Sequence, residues 1–191
     1  MKIIETPIPD LVEIIPDVFG DHRGHFFESY NQRAFAEEGL DMQFVQDNQS
    51  LSSKGVLRGL HFQAPPYAQG KLVRVIRGSV LDVAVDIRKG SPTYGQQHSV
   101  LLSGENKKMF WIPEGFAHGF ATLEDDTIFS YKCTNYYHKA SEGCLLWNDP
   151  ELNIDWNVEE PKLSDKDKIG ELLKDFKTPF VTSSDKNVLI F

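Results

Sequence analysis

The sequence predicts a mainly β domain, a sandwich or barrel of short strands with a few small helices at its edge. Three observations carry this. Between Gly55 and Tyr131, short apolar runs follow one another and are punctuated by Gly and Pro. No alternation of strands with long amphipathic helices appears, which sets aside the parallel α/β folds. The 191 residues suit one domain, 1–191, and no internal repeat or low-complexity tract divides them.

The elements follow in order. From Phe19 to Phe27, aromatic residues flank the polar turn Gly20-Asp21-His22-Arg23-Gly24, the pattern of a hairpin. Asn31–Glu38 reads as a short helix, with Asn31 as its cap and Gly39 as its left-handed stop. Leu72–Arg77 is a strand that ends at Gly78. Val80–Ile87 is another, alternating polar and apolar near Asp82 and Asp86, and Lys89-Gly90-Ser91-Pro92 turns the chain. Ser99–Leu102, Lys107–Ile112, Gly119–Leu123 and Ile128–Lys132 are further short strands. Ser164, followed by Asp165-Lys166-Asp167, is the expected N-cap and acidic first turn of a C-terminal helix over 164–175. Lys177–Phe191 reads as an extended tail, either a packed strand or an intersubunit arm.

Composition narrows the function classes. Lys plus Arg is 20 and Asp plus Glu is 28, a net charge of −8, which argues against nucleic acid or an anionic membrane as partner. No run of about 18 apolar residues exists to span a bilayer. The first residues lack the apolar core of a signal peptide, and two cysteines, Cys133 and Cys144, make no disulfide framework. A reduced, cytoplasmic protein is expected. All six arginines lie in the first half, which hints at an anion pocket there. Arg33, Arg74, Arg77 and Arg88 read more simply as strand-surface residues.

Two histidines stand in informative contexts. Pro113-Glu114-Gly115-Phe116-Ala117-His118 contains Pro-x-Gly-x-x-His, which resembles the second motif of the cupin superfamily of small β-barrels. Gly55 and His61 have the spacing of the first motif, with departures. Gln63 replaces its second histidine, and Lys71 stands at the spacing to Gly78 where a metal-binding glutamate belongs. An ammonium in place of a carboxylate repels a cation, so a site without metal is expected. A cationic pocket of this kind suits proton removal next to a ketone. His61 is the natural base, Lys71 an enolate partner, and Tyr131 a candidate acid. Local sequence alone favours reading Tyr131 as a packed strand tyrosine.

Further motifs occur in order from about Val18 to Leu173. They include Asp21-His22-Arg23-Gly24, Phe26-Phe27-Glu28, Phe44-Val45-Gln46-Asp47-Asn48, Val56-Leu57-Arg58-Gly59-Leu60-His61-Phe62-Gln63, Tyr131-Lys132-Cys133-Thr134-Asn135-Tyr136-Tyr137 and Leu163-Ser164-Asp165-Lys166-Asp167. Together they resemble the dTDP-4-dehydrorhamnose 3,5-epimerase family. The resemblance implies a homodimeric cupin-like jelly roll needing neither metal nor cofactor. It implies His61 as base, Asp167 as the carboxylate that orients it, Tyr131 as acid and Lys71 as enolate partner. It places His118 near the sugar or phosphate. Arg23, Glu28, Gln46, Asn48 and Arg58 would bind the nucleotide and diphosphate, some from the partner subunit. Tyr137 would stack on thymine and Glu142 would add a polar contact. Asp47 and Lys168 are further candidates, though Asp47 also suits a turn.

Three alternatives stay open at this point. An enzyme of this kind could invert a single centre. A nucleotide-sugar-binding cupin would lack base or acid, and a metal-dependent cupin oxygenase or isomerase would need ligands where Gln63 and Lys71 stand.

Overall fold

The computed structural model describes residues 1–182. In chain order the elements are β1 (Lys2–Glu5), β2 (Val12–Ile15), β3 (Phe19–Asp21), β4 (Gly24–Phe26), α1 (Gln32–Glu37), β5 (Gln46–Ser52), β6 (Leu57–Gln63), β7 (Lys71–Arg77), β8 (Ser79–Asp86), β9 (Gln97–Ser103), β10 (Met109–Ile112), β11 (Phe116–Thr122), β12 (Thr127–Cys133) and β13 (Glu142–Cys144). Single 3-10 turns lie at Lys139–Ser141 and Asp167–Ile169. No helix among the described residues is long and apolar enough to cross a membrane.

Two antiparallel sheets form a sandwich that does not close into a barrel. One runs β1-β2-β10-β7-β12-β5 and the other β13-β6-β11-β8-β9. Alternation along β7 shows how the sheets face. Val73 and Val75 join Val80, Ala84, Leu102, Phe110 and Phe129 in a core that contains both sheets' residues. Leu72, the residue before Val73, points to the other face and joins Ile14, Met109 and Phe35 of α1 in a separate cluster. A third cluster packs Leu57, Phe62, Val83 and Val85 of the five-stranded sheet against Leu152, Trp156 and Phe180 of the C-terminal segment. β8 therefore has apolar neighbours on both faces, and all eight of its residues are buried. This explains why its sequence is a nearly continuous apolar run.

The expected helix at Asn31–Glu38 forms as α1, with Asn31 Oδ1 accepting from the Ala34 N–H and Gly39 at φ +83°. The hairpin β3–β4 also forms, but it pairs with no other described strand, and its Phe19 and Phe26 are 66% and 67% exposed.

The C-terminal helix expected over 164–175 is absent; a single 3-10 turn stands in its place. The Ser164 hydroxyl donates to Asp167 Oδ2 at 2.6 Å, not to a capping position, and the Asp167 side chain is turned inward. Gly170 then adopts an extended conformation (φ −62°, ψ 156°), and Glu171 bridges Leu145. Tertiary pairing has outcompeted local helix propensity here. Of the tail, Val181 bridges Lys89 and Phe180 is buried; the remainder, 183–191, lies outside the described residues.

Candidate active site

A cavity of about 630 Å³ lies between the sheets, and its lining includes Ser50, Arg58, His61, Lys71, His118, Phe120, Phe129, Tyr131, Tyr137, Glu142, Lys166 and Asp167. A smaller adjoining cavity of about 260 Å³ adds Gln46, Asn48, Gln63 and Gln69.

β6 brings two of these side chains to one face by an irregularity in its pairing. His61 pairs with His118 and Arg58 with Phe120, so two β6 residues, Gly59 and Leu60, stand opposite the single residue Gly119. This β-bulge returns residues three apart to the same side of the sheet. Gly59 suits it, with φ +133° and its ideal Cβ position only 2.4 Å from the Gly119 Cα. Arg58 Nη2 then donates to Ser52 on β5 at 3.3 Å, spanning from one sheet to the other.

His61 Nε2 lies 2.6 Å from Asp167 Oδ1. Burial would raise the Asp167 carboxyl, which is 2% exposed, but hydrogen bonds from His61, Ser164 and the Gly59 N–H outweigh it and hold the group below the usual carboxylate range. Asp167 is thus an anion that accepts a hydrogen bond from Nε2–H, leaving Nδ1 as the basic nitrogen.

A second pair stands beside the first. His118 Nε2 is 3.0 Å from both oxygens of Asp82, which is fully buried on β8. Burial lowers the His118 pKa more than Asp82 raises it, so this ring is neutral near pH 7. From the opposite sheet come Lys71, on β7, and Tyr131, on β12. Burial lowers the Lys71 ammonium, against the pull of Cys133, Asp82 and Glu142. Burial raises the Tyr131 phenol, which stays protonated. Neither Lys71 nor Tyr131 makes a side-chain hydrogen bond among the described residues. Ser50 Oγ is likewise buried without a partner.

Toward Tyr137, Glu142 accepts from Lys166 at 2.5 Å and from the Tyr137 hydroxyl at 3.2 Å. Gln46 Oε1 accepts from the Tyr137 N–H at 2.9 Å and its amide donates to Asn48 at 3.1 Å. The expected residues His61, Lys71, Tyr131, Asp167, Arg58, His118, Gln46, Asn48, Tyr137 and Glu142 therefore converge. Four do not. Asp47 lies on the other face of β5, paired with Lys132 at 3.0 Å. Lys168 is exposed and pairs with Asp165. Arg23 is on the protruding hairpin, bound to Asp21, and Glu28 is exposed beside Asn31. Lys166, Asp82, Ser50 and Ser164 were missed. Asp82 alone carried a signal, a carboxylate inside an apolar strand.

The cupin metal positions have other duties. Gln63 Nε2 donates to the carbonyls of Tyr67 (2.6 Å) and Tyr136 (3.2 Å), while its Oε1 accepts from the His138 N–H (2.8 Å). It clamps loops, and with the Lys71 ammonium beside it this donor set does not suit a divalent ion.

A family model for dTDP-4-dehydrorhamnose 3,5-epimerase matches residues 5–175. The chain belongs to the dTDP-4-dehydrorhamnose 3,5-epimerase family. It is an epimerase. The curated dTDP-4-dehydrorhamnose 3,5-epimerase of Shigella flexneri is 57% identical over 176 residues, covering 92% of this chain and 97% of its own. Among solved structures, the Legionella pneumophila epimerase in complex with dTDP-4-keto-L-rhamnose is 53% identical, covers 92% and 94% of the two chains, and superposes with a TM-score of 0.89. A 3'-monoepimerase of Streptomyces bikiniensis in complex with dTDP-quinovose is 34% identical, covers 88% and 86%, and has a TM-score of 0.84. A 3,5-epimerase and a 3'-monoepimerase thus share this sandwich.

Proposed function

We propose that this chain inverts C-3 and C-5 of dTDP-4-dehydro-6-deoxy-D-glucose, giving dTDP-4-dehydro-L-rhamnose in dTDP-L-rhamnose biosynthesis. The carrying observation is the placement of the His61–Asp167 pair on one sheet and Tyr131 on the other, lining one cavity. Double inversion is favoured over single inversion because 57% identity to a 3,5-epimerase exceeds 34% to a monoepimerase.

The C-4 ketone acidifies C-3–H and C-5–H alike. His61 Nδ1 removes one proton, and the C–H electron pair moves through the new C–C double bond onto O-4. The Lys71 ammonium faces that enolate oxygen, in a pocket where water competes weakly. Tyr131 O–H then donates a proton to the opposite face of the carbon, restoring the ketone with inverted configuration. Exchange with solvent returns a proton to the phenolate and removes one from the imidazolium. Repetition at the second carbon completes the conversion. Arg58, Gln46, Asn48, Glu142 and Lys166 hold the diphosphate and nucleoside, and Tyr137 stacks on the base.

The protein acts as a homodimer in this reading. Supporting it, the β3–β4 hairpin exposes Phe19 and Phe26 with Arg23 between them and contributes nothing to the lining of its own cavity, which leaves these side chains for a second copy's. The reading places it in the cytoplasm, where Cys133 and Cys144, both free, stay reduced. Incubation with dTDP-4-dehydro-6-deoxy-D-glucose in D2O, followed by NMR, tests the reaction. Deuterium at C-3 and C-5 with L-rhamno product is expected; solvent deuterium at one carbon only, or at neither, would overturn it.

A further inference from the structure

Behind the base stands a thiol that the reaction does not use. Cys144, on β13, lies directly across the ladder from His61. One ligand atom each of His61, Cys144 and Asp167 lie within 4.8 Å of one another. The three offer an imidazole nitrogen, a sulfur and a carboxylate oxygen, the donor types that soft and borderline divalent ions prefer.

We infer that His61, Asp167 and Cys144 form an inhibitory site for a thiophilic divalent cation such as Zn²⁺ or Cd²⁺. The cation takes the place of the proton shared by His61 and Asp167. The imidazole changes tautomer, its proton leaving Nε2 and Nδ1 taking one up, the carboxylate is already ionised, and the Cys144 thiol releases one proton to solvent as the sulfur–metal bond forms. One thiolate and one carboxylate then balance the two positive charges. Tetrahedral ligands around zinc stand roughly 3.3–3.8 Å apart, so the donors need shift by only about an ångström. The fourth position opens to the cavity that His61 and Asp167 line. Such a cation binds Nε2, fixes the ring as the Nδ1–H tautomer and so stops proton abstraction by Nδ1.

Without a cation the thiol is inert. Burial and then the Asp167 charge push it up to about 12, and it donates to the Leu145 carbonyl at 3.3 Å. A thiolate at this position therefore reports the metal itself.

The test adds Cd²⁺ to the whole enzyme and records the near-ultraviolet thiolate-to-cadmium charge-transfer band and one-proton release, neither of which depends on turnover. Zn²⁺ inhibition of epimerisation is measured in parallel. Wild type should show band and chelator-reversible inhibition. Cys144→Ser and Cys144→Ala should keep basal activity, lose the band and resist Zn²⁺ at least tenfold better. Cys133→Ser should behave as wild type. Absence of the band in wild type, undiminished inhibition in both Cys144 variants, or a band that disappears with Cys133 instead would overturn the assignment.

Discussion

Arg58 and His61 stand three residues apart on one strand and yet project into the same cavity. The bulge at Gly59-Leu60 makes this possible, because in a regular strand an odd separation puts two side chains on opposite faces. One extra residue in the ladder therefore brings together Arg58, proposed to bind the anion, and His61, the proposed base.

Gly59→Ala should be severely damaging. The added methyl meets the Gly119 backbone, and the φ of +133° belongs to glycine alone. A loss of about 2 kcal/mol or more is expected in urea unfolding, with activity falling further than stability.

His61→Ala should abolish deuterium exchange at both carbons, a loss of about 10²–10⁴-fold, while dTDP binding measured calorimetrically persists. Asp167→Asn should lose less, through tautomer and charge. Asp167 also bears on acid stability. Its folded pKa is depressed, so its contribution is complete above the unfolded value of about 3.9 and disappears as pH falls through the folded value. Wild type should therefore lose stability in that window more steeply than Asp167→Asn in parallel urea titrations.

Tyr131→Phe should separate exchange from inversion. The enolate still forms, but His61 returns the proton to the face it left, so exchange outlasts inversion. Equal loss of both would remove Tyr131 from the role of acid. Lys71→Met should depress both together, by about 2.7–4 kcal/mol at the enolate step. It should also raise the melting temperature, because it replaces an inward ammonium that has no hydrogen bond among the described residues.

Ser50→Ala should reduce kcat/KM by about 2–10-fold with melting temperature unchanged or raised. The hydroxyl is buried with no protein partner, so its removal forfeits a bond only with the bound substrate. A fall in stability with kinetics intact would give it a structural role instead.

The two lysines flanking Asp167 should differ. Lys166→Ala, which removes a cavity-lining ammonium from Glu142, should raise KM by about 10–100-fold. Lys168→Ala, an exposed partner of Asp165, should stay within about twofold.

The hairpin, α1 and the strands from Leu72 to Lys132 were legible because each carries a local signature: alternation, an Asn cap, a terminal glycine. β5 was not. Its sequence, Gln46-Asp47-Asn48-Gln49-Ser50-Leu51-Ser52, has little strand propensity, because it is an edge strand whose inner face is a polar wall of the cavity. Function had overwritten the pattern that sequence reading relies on. The choice of Lys168 over Lys166 has a similar origin. A helix over 164–175 would have set the neighbours of Asp167 in a regular order, whereas the observed turn is dictated by partners more than 100 residues away, at Gly59 and His61. That His61 and Tyr131 line one cavity followed from the ordered motifs and not from periodicity.

The segment that delivers Lys166 and Asp167 is attached to the five-stranded sheet by isolated parallel bridges at Val56–Lys162, Leu145–Glu171 and Lys89–Val181. Two of them join the late chain to Val56 and Lys89, made far earlier, so the His61–Asp167 contact is among the last that a nascent polypeptide can make. While the ribosome still holds that segment, His61 has no anion to set its tautomer, and the sandwich is incapable of turnover. A chain cut short near Pro161 would keep the strands of both sheets and lose the Asp167 carboxylate that faces His61 and the Gly59 N–H.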